Sequence, residues 1–245
     1  MNAMILAAGL GTRLKPWTQR HPKALVPVKG IPMLERVIAR LRCEGFDHIV
    51  VNVHHFPDQI INFLGSRDFG DIRIEVSDES GRLMDTGGGL VKASGLLFAD
   101  GGPALVHNVD ILSDAPLGWL MERHCRQESG ATLLVSERES SRRLLFSPDM
   151  RLEGWHNVTD GRYRPEGYSP SPFSREYAFS GIYVVSGGAV EEMRSLFGGS
   201  GAFPVMDYFL SPSRSEIVRG EALDGLRLID IGKPATLSQA EDFVF

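Results

Sequence analysis

Met4–Ala8 is a short apolar run that breaks into Gly9-Leu10-Gly11, and from there to Ser136 strand-like and helix-like segments alternate. That alternation is the pattern of a layered α/β domain with a largely parallel sheet. A helix is expected over Pro32–Glu44, where Met33, Leu34, Val37, Ile38 and Leu41 recur at helical spacing before Gly45, a candidate C-cap. Further strands are expected at Ile49–Val53, Ile72–Ser77, Ala104–His107 and Ala131–Ser136, with helices at Pro57–Leu64, Gly88–Phe98 and Leu117–Gln127 between them. Residues Arg142 to Arg175 change texture, being rich in Ser, Pro, Gly, Arg and aromatics. This stretch reads as an insertion facing a substrate, because Leu144-Leu145-Phe146 and Trp155 need somewhere to pack. Strand patterns return at Tyr177–Val185 and Leu226–Asp230, and helical ones at Gly188–Leu196, Pro204–Leu210 and Ala235–Phe243.

The 245 residues, 42% of them hydrophobic, can fill one sizeable core. Net charge is −5 and the Lys and Arg residues are scattered, so no nucleic-acid footprint is expected. The two cysteines, Cys43 and Cys125, form no CxxC or Cys/His cluster, which suits a reducing compartment. No basic leader precedes the first apolar run, and no stretch approaches the roughly 18 apolar residues of a membrane span. A cytoplasmic protein with no membrane partner is expected. The histidines show no ligand spacing and read as packing or surface residues.

The turn Gly9-Leu10-Gly11-Thr12-Arg13 sits where a strand ends, so backbone N–H groups there can approach phosphate oxygens, with an arginine following. Leu14 occupies the third glycine position of a dinucleotide fingerprint, and no Gly-Lys-Ser/Thr follows, so neither a Rossmann GxGxxG nor a P-loop fits. Pro22 and Pro27 pin Lys23 in an extended segment, where it can act as a positioned charge on a phosphate. A second glycine cluster, Asp85-Thr86-Gly87-Gly88-Gly89, opens a helix, and its small residues would let a flat base lie against backbone. Asp110 and Asp230 each fall at or just beyond a strand end, the edge at which open α/β sheets bind ligands. Together they could supply the one or two carboxylates that Mg²⁺ takes from a protein.

The order Ala7-Ala8-Gly9-x-Gly11-Thr12-Arg13, Pro16, then Pro22-Lys23-x-Leu25-Val26-Pro27-Val28 closely resembles the signature of the sugar-1-phosphate nucleotidyltransferase family. The resemblance continues at 85–93, 104–114 and 226–241, and is strongest to the branch of N-acetylmuramate 1-phosphate uridylyltransferases and mannose-1-phosphate guanylyltransferases. It implies a three-layer α/β/α Rossmann-like fold with a mixed, mostly parallel sheet and a small β-rich lobe on the sugar side. A single domain is implied, with 1–136 binding nucleotide, 137–180 facing the sugar and 181–245 completing the core. By the same resemblance Ala7, Ala8, Gly9, Gly11 and Thr12 hold the triphosphate. Glu79, Gly87, Gly88 and Asn108 contact the rest of the nucleotide, Arg13 and Lys23 stabilise charge during transfer, and Asp110 and Asp230 hold Mg²⁺. Val109 departs from the glycine that relatives place before the first aspartate. For the sugar, Gly154, Asn157 and Ser180 are candidates, with Arg142, Arg143 or Arg175 standing in for a lysine the family uses there.

The implied reaction joins a nucleoside monophosphate from a nucleoside triphosphate to a sugar 1-phosphate and releases pyrophosphate. The acceptor phosphate is mostly dianionic at neutral pH, so no dedicated base is required. UTP with N-acetylmuramate 1-phosphate, or a similar hexose 1-phosphate, is the leading substrate pair. A GTP-dependent mannose- or heptose-1-phosphate guanylyltransferase and a non-catalytic nucleotide-sugar-binding regulator stand as alternatives. Oligomeric state and pathway are not legible in the sequence.

Overall fold

A computed structural model describes residues 1–199, 201–232 and 234–243. In chain order its elements are β1 (Asn2–Leu6), β2 (Pro27–Val28), β3 (Ile31–Pro32), α1 (Met33–Cys43), β4 (His48–Val53), α2 (Pro57–Gly65) and β5 (Arg73–Asp78). There follow α3 (Asp85–Leu97), β6 (Ala104–Asn108), β7 (Ile111–Ser113), α4 (Leu117–Arg126) and β8 (Ala131–Ser136). Next come β9 (Arg142–Phe146), β10 (Leu152–Asn157), β11 (Arg162–Arg164), β12 (Arg175–Val185), α5 (Gly187–Phe197) and α6 (Val205–Phe209). The chain closes with β13 (Val218–Ala222), β14 (Leu228–Asp230) and α7 (Pro234–Ala240).

The main sheet runs β11-β10-β9-β12-β6-β1-β4-β5, with β8 and β13 joined alongside β12. Strands β6, β1, β4 and β5 are mutually parallel, and β12 is antiparallel to β6, so the sheet is mixed as expected. Alternate residues of each central strand enter opposite layers, the period-two rule for a sheet covered on both faces. Met4, Val50 and Val106 pack with Leu90 and Val91 of α3, Val190 of α5 and Phe209 of α6. Ala3, Ile5, Ile49 and Val51 pack with Leu34 and Ile38 of α1, Ile60 of α2 and Leu120 of α4. These two cores define the α/β/α sandwich.

The segment read as an insertion is β-rich and continuous with the sheet. The first half of β12 pairs with β9, and its second half pairs with β6 and β8. Three features were not anticipated from the sequence: β13 beside β8, the ribbon β2–β3 and the ribbon β7–β14. β14 falls within the strand expected at Leu226–Asp230, and what local pattern did not show is its pairing with β7; the other strands are short or carry few apolar residues.

Candidate active site at the strand ends

Because β1, β4 and β6 are parallel and in register, Leu6 lies beside both Asn52 and Asn108. The chain leaving each strand therefore opens at one edge of the sheet, which places the segments beginning at Ala7, His54 and Val109 together. Asn52 is an amide buried inside an apolar strand, and it is fully used. Its Oδ1 accepts the Ala7 N–H at 2.7 Å, and its Nδ2 donates to Glu79 Oε1 at 2.7 Å. The other Glu79 oxygen accepts the Met84 N–H at 3.1 Å. This bridge ties the glycine-rich loop to the turn before α3, and a buried carboxylate without such donors would be costly.

Ala7, Ala8 and Gly9 line a cleft of about 270 Å³ together with Lys23, Asn52, Leu83, Asp85, Thr86, Asn108 and Asp110. Gly11 has φ +61°, and a Cβ there would lie 2.8 Å from Thr18 Cγ2 and 3.0 Å from Lys23 Cβ. The glycine is required both by the left-handed turn and by the close passage of Lys23 behind it. The Thr18 hydroxyl donates to Gly11 O at 2.9 Å, and His55 Nε2 donates to Thr18 O at 2.9 Å. His54 Nδ1 donates to Glu79 O at 2.7 Å. Both histidines brace loops, in line with their reading as packing residues. Thr12 and Arg13 lie in a 3₁₀ turn just beyond and are exposed.

The second glycine cluster works differently from the expectation. Gly87 and Gly88 are buried in α3, and both N–H groups donate to Phe203 O, at 2.9 and 3.3 Å. Their missing side chains make room for Phe203 and the Gly201 carbonyl, and the neighbouring Gly89 makes room for Glu79. Glu79 itself is 0% exposed and internally bonded. Glu79, Gly87 and Gly88 thus shape the site from behind, while Leu83, Asp85 and Thr86 are the residues of this segment that face the cleft.

Asp110 and Asp230 meet through the unanticipated ribbon. Strand β14 pairs with β7 so that Asp230 lies opposite Ile111, and the Ile231 N–H donates to Asp110 O at 2.9 Å. The Gly232 N–H donates to Asp230 Oδ1 at 2.7 Å. A Cβ on Gly232 would lie 2.7 Å from Arg13 Nη2, 2.7 Å from Asp230 Oδ1 and 3.3 Å from Asp110 Oδ2. Arg13 and both aspartates therefore converge on one small space that only a glycine leaves open. Lys23 Nζ donates to Asp110 Oδ2, with side chains 12% and 14% exposed. Among the described residues no group of three or more His, Cys, Asp or Glu is placed to hold a metal ion. Two carboxylates are what the described chain offers, the donor number that suits a cation keeping several waters. Lys233 lies outside the described residues. Val109 is 3% exposed and packs into the core at the margin of the cleft.

A second, wider cleft of about 1280 Å³ meets the first at Asn108 and includes Arg13, Arg138, Asn157 and Asp230 in its wall. Gly181, with φ +76°, lets β12 pass Asn108, since a Cβ there would lie 2.8 Å from Asn108 Nδ2. Of the sugar-side candidates, Asn157 lines this cleft. Ser180 reaches it, but its hydroxyl donates to Leu134 O at 2.7 Å and the residue is 1% exposed. Gly154 faces the other side of β10, where a Cβ would lie 2.8 Å from Tyr168 Cε1, so it packs and does not line the cleft. Arg142 and Arg143 line the wall and Arg175 does not.

Arg138 was missed from the sequence. It is half-buried, donates to Phe179 O at 2.8 Å and leaves a buried Nε without a partner. Burial lowers its pKa from the ordinary guanidinium value, against the opposing pull of Asp230. Asn52 had a legible signal, a polar residue inside Ile49–Val53. Gly232 and Arg138 had none, because their roles depend on which strands pair.

A profile of the Nucleotidyl transferase family matches residues 2–145, more than half the chain, and the protein belongs to that family. It is 36% identical over 160 residues to the N-acetylmuramate alpha-1-phosphate uridylyltransferase of Caulobacter vibrioides, covering 64% of this chain and 62% of that one. It is 34% identical over 140 residues to mannose-1-phosphate guanylyltransferase 1 of Arabidopsis thaliana, covering 56% of this chain and 38% of the relative. These matches span less than two thirds of either relative. Among solved structures, HddC from Yersinia pseudotuberculosis complexed with GMP-PN aligns with a TM-score of 0.77 at 21% identity, over 99% and 98% of the two chains. UDP-glucose pyrophosphorylase from Acinetobacter baumanii aligns with a TM-score of 0.76 at 17% identity, over 98% and 91%. The fold is thus the Rossmann-like nucleotidyltransferase fold. Among the described residues no helix is long and apolar enough to cross a membrane.

Proposed function

We propose that the protein transfers a nucleoside monophosphate from a nucleoside triphosphate to a sugar 1-phosphate, with release of pyrophosphate. The observation that carries this reading is the convergence of Arg13, Lys23, Asp110 and Asp230 at the junction of two clefts. One cleft is bordered by Ala7-Ala8-Gly9 and suits a nucleotide, and the other suits a sugar phosphate. Bringing two anions together is a matter of positioning and charge neutralisation, and those side chains supply it. Arg13 stands where the leaving pyrophosphate would gather charge. Lys23, which lies in a short 3₁₀ turn and not in the extended segment expected, passes behind Gly11 within reach of the reacting phosphates. Asp110 and Asp230 would hold Mg²⁺, which when bound neutralises phosphate charge. An acceptor phosphate already ionised at neutral pH needs no general base.

UTP with N-acetylmuramate 1-phosphate is the favoured pair, supported by the Caulobacter relative of that name, at 36% identity. GTP with mannose 1-phosphate is the second reading, supported by the Arabidopsis relative. The test is pyrophosphate release with Mg²⁺ and a panel of triphosphates and sugar 1-phosphates. The reading expects turnover with one pair and a loss of at least about a hundredfold in Asp110→Asn. Nucleotide binding without turnover across the whole panel would favour a non-catalytic regulator instead.

A further inference from the structure

The wider cleft has a cationic wall, and its arginines differ in how far the protein itself satisfies them. Across β9, β10 and β11, Arg142 lies opposite Asn157 and Asn157 opposite Arg162, so these three share one face of the hairpins. Arg162 is answered by Asp160 at 2.6 Å and Arg164 by Asp207 at 2.7 Å. Arg138 is placed by a different element. Strands β6 and β8 are both antiparallel to β12 and therefore run the same way, so β8 ends at the edge of the sheet where β6 ends. Asp110 lies two residues beyond the last residue of β6, and Arg138 two residues beyond the last residue of β8. Parallel strands thus deliver the carboxylate and the guanidinium to the same ligand-binding edge.

Between Phe179 and Tyr183, β12 slips out of register with β8, and the Phe179 carbonyl accepts a hydrogen bond from Arg138 Nη2 at 2.8 Å. Irregularities of this kind re-aim side chains beside active sites. Arg138 makes one further contact, at 3.5 Å to the Glu139 carbonyl, and its buried Nε has no partner. Arg214, half-buried like Arg138, donates to the carbonyls of Phe209, Glu216 and Leu152 at distances between 2.7 and 3.0 Å. Its donors are spent on holding loops, and those of Arg138 are not. A half-buried guanidinium with donors left over carries a desolvation cost that an anion in the cleft would offset. Asp230 and Arg143 both lie within electrostatic range of Arg138, yet among the described residues no carboxylate forms an ion pair with it. Arg13 reaches the junction of the clefts from the glycine-rich loop, whereas Arg138 reaches it from β8 and the Phe179–Gly181 bend that walls the wider cleft. We propose that Arg138 binds the phosphate of the acceptor as that phosphate meets the nucleotide, and so is a catalytic residue of the transfer. This inference rests on the transferase reading and assigns it a cation that neither glycine-rich segment supplies. In the transfer, one oxygen of the acceptor phosphate bonds to the α-phosphorus while the bond to the departing pyrophosphate breaks. A planar guanidinium can hold the other two oxygens with parallel hydrogen bonds and offset the repulsion between the two anions.

The experiment measures KM for the acceptor and KM for the triphosphate separately, by pyrophosphate release from the full chain with Mg²⁺ and the best pair from the substrate panel. Arg138→Gln should raise KM for the acceptor by roughly 10- to 100-fold, the effect of losing a charged hydrogen bond, and leave KM for the triphosphate within about threefold. Arg138→Lys keeps the charge without the planar fork and should recover part of the loss. Circular dichroism reports whether each variant is folded. Should the glutamine variant not fold, the lysine variant carries the same test, since it too should raise only the acceptor's KM. An arginine that merely propped the bend in β12 would move both KM values together, and that result overturns the proposal. So does a larger rise in the acceptor's KM for Arg143→Gln than for Arg138→Gln. Should no acceptor turn over with the wild type, the transferase reading fails first. Calorimetric titration of the wild type and Arg138→Gln with a hexose 1-phosphate and with the free hexose then decides the inference separately. A phosphate-dependent affinity that the variant loses supports it, and equal affinity of the two proteins, or no gain from the phosphate, refutes it.

Discussion

Gly232→Ala tests the site with the smallest possible change. Gly232 is buried and has no left-handed φ, so its backbone accepts an alanine, and the cost lies in what the new methyl meets. It would lie 2.7 Å from both Arg13 Nη2 and Asp230 Oδ1, and 3.3 Å from Asp110 Oδ2. Comfortable contact begins near 3.5 Å, so Arg13 and Asp230 must each retreat by roughly 0.8 Å. Misplacement on the order of 1 Å costs about a hundredfold in rate, equivalent to about 2.7 kcal/mol in the barrier. Overpacking of about 1–3 kcal/mol should lower the melting temperature by several degrees and leave the protein folded at 25 °C. The assay is kcat/KM for pyrophosphate release beside melting by circular dichroism. Gly65→Ala serves as the control, at a position where an added Cβ meets nothing within 4 Å. If Gly232→Ala keeps more than about half of the wild-type kcat/KM, the carboxylates do not converge as described.

Gly11→Ala places an L side chain at φ +61° and a methyl 2.8 Å from Thr18 Cγ2. A stability loss of at least about 1–2 kcal/mol is expected in urea unfolding, together with a higher KM for the triphosphate, and an unchanged midpoint would refute the turn's role. Burial pushes both His107 and His124 down from 6.5 to about 4, so each is neutral in the fold. Between those two pH values the unfolded chain binds more protons, and stability falls as pH is lowered through that window, by about 3 kcal/mol for each group. Melting curves from pH 7 to pH 4 should show this decline, and His124→Gln should flatten it; parallel curves for the two proteins would remove His124 as a cause.

The sequence by itself determined the layered fold and the edge of the sheet at which the candidate site lies. Apolar runs with period two or 3.6 report on which face of an element is buried, and both helical layers and the central strands follow from them. Ala131–Ser136 was legible to the residue, and other boundaries moved by only a few residues, as with Arg73–Asp78 and Asp85–Leu97. Ala7-Ala8-Gly9 and Asp110 were legible as cleft residues because they follow strand ends, and Lys23 because Pro22 and Pro27 flank it. The tertiary structure alone decided what the second glycine cluster is for. Whether Gly87 and Gly88 face a ligand or Phe203 depends on a segment more than a hundred residues away. It also decided that Asp230 meets Asp110: a strand at Leu226–Asp230 was legible, but its pairing with β7 is a property of two strands and not of either one. The cationic wall belongs to the same class of fact. Arg142, Asn157 and Arg162 share a row only once the hairpin register is set, and register is a property of paired strands.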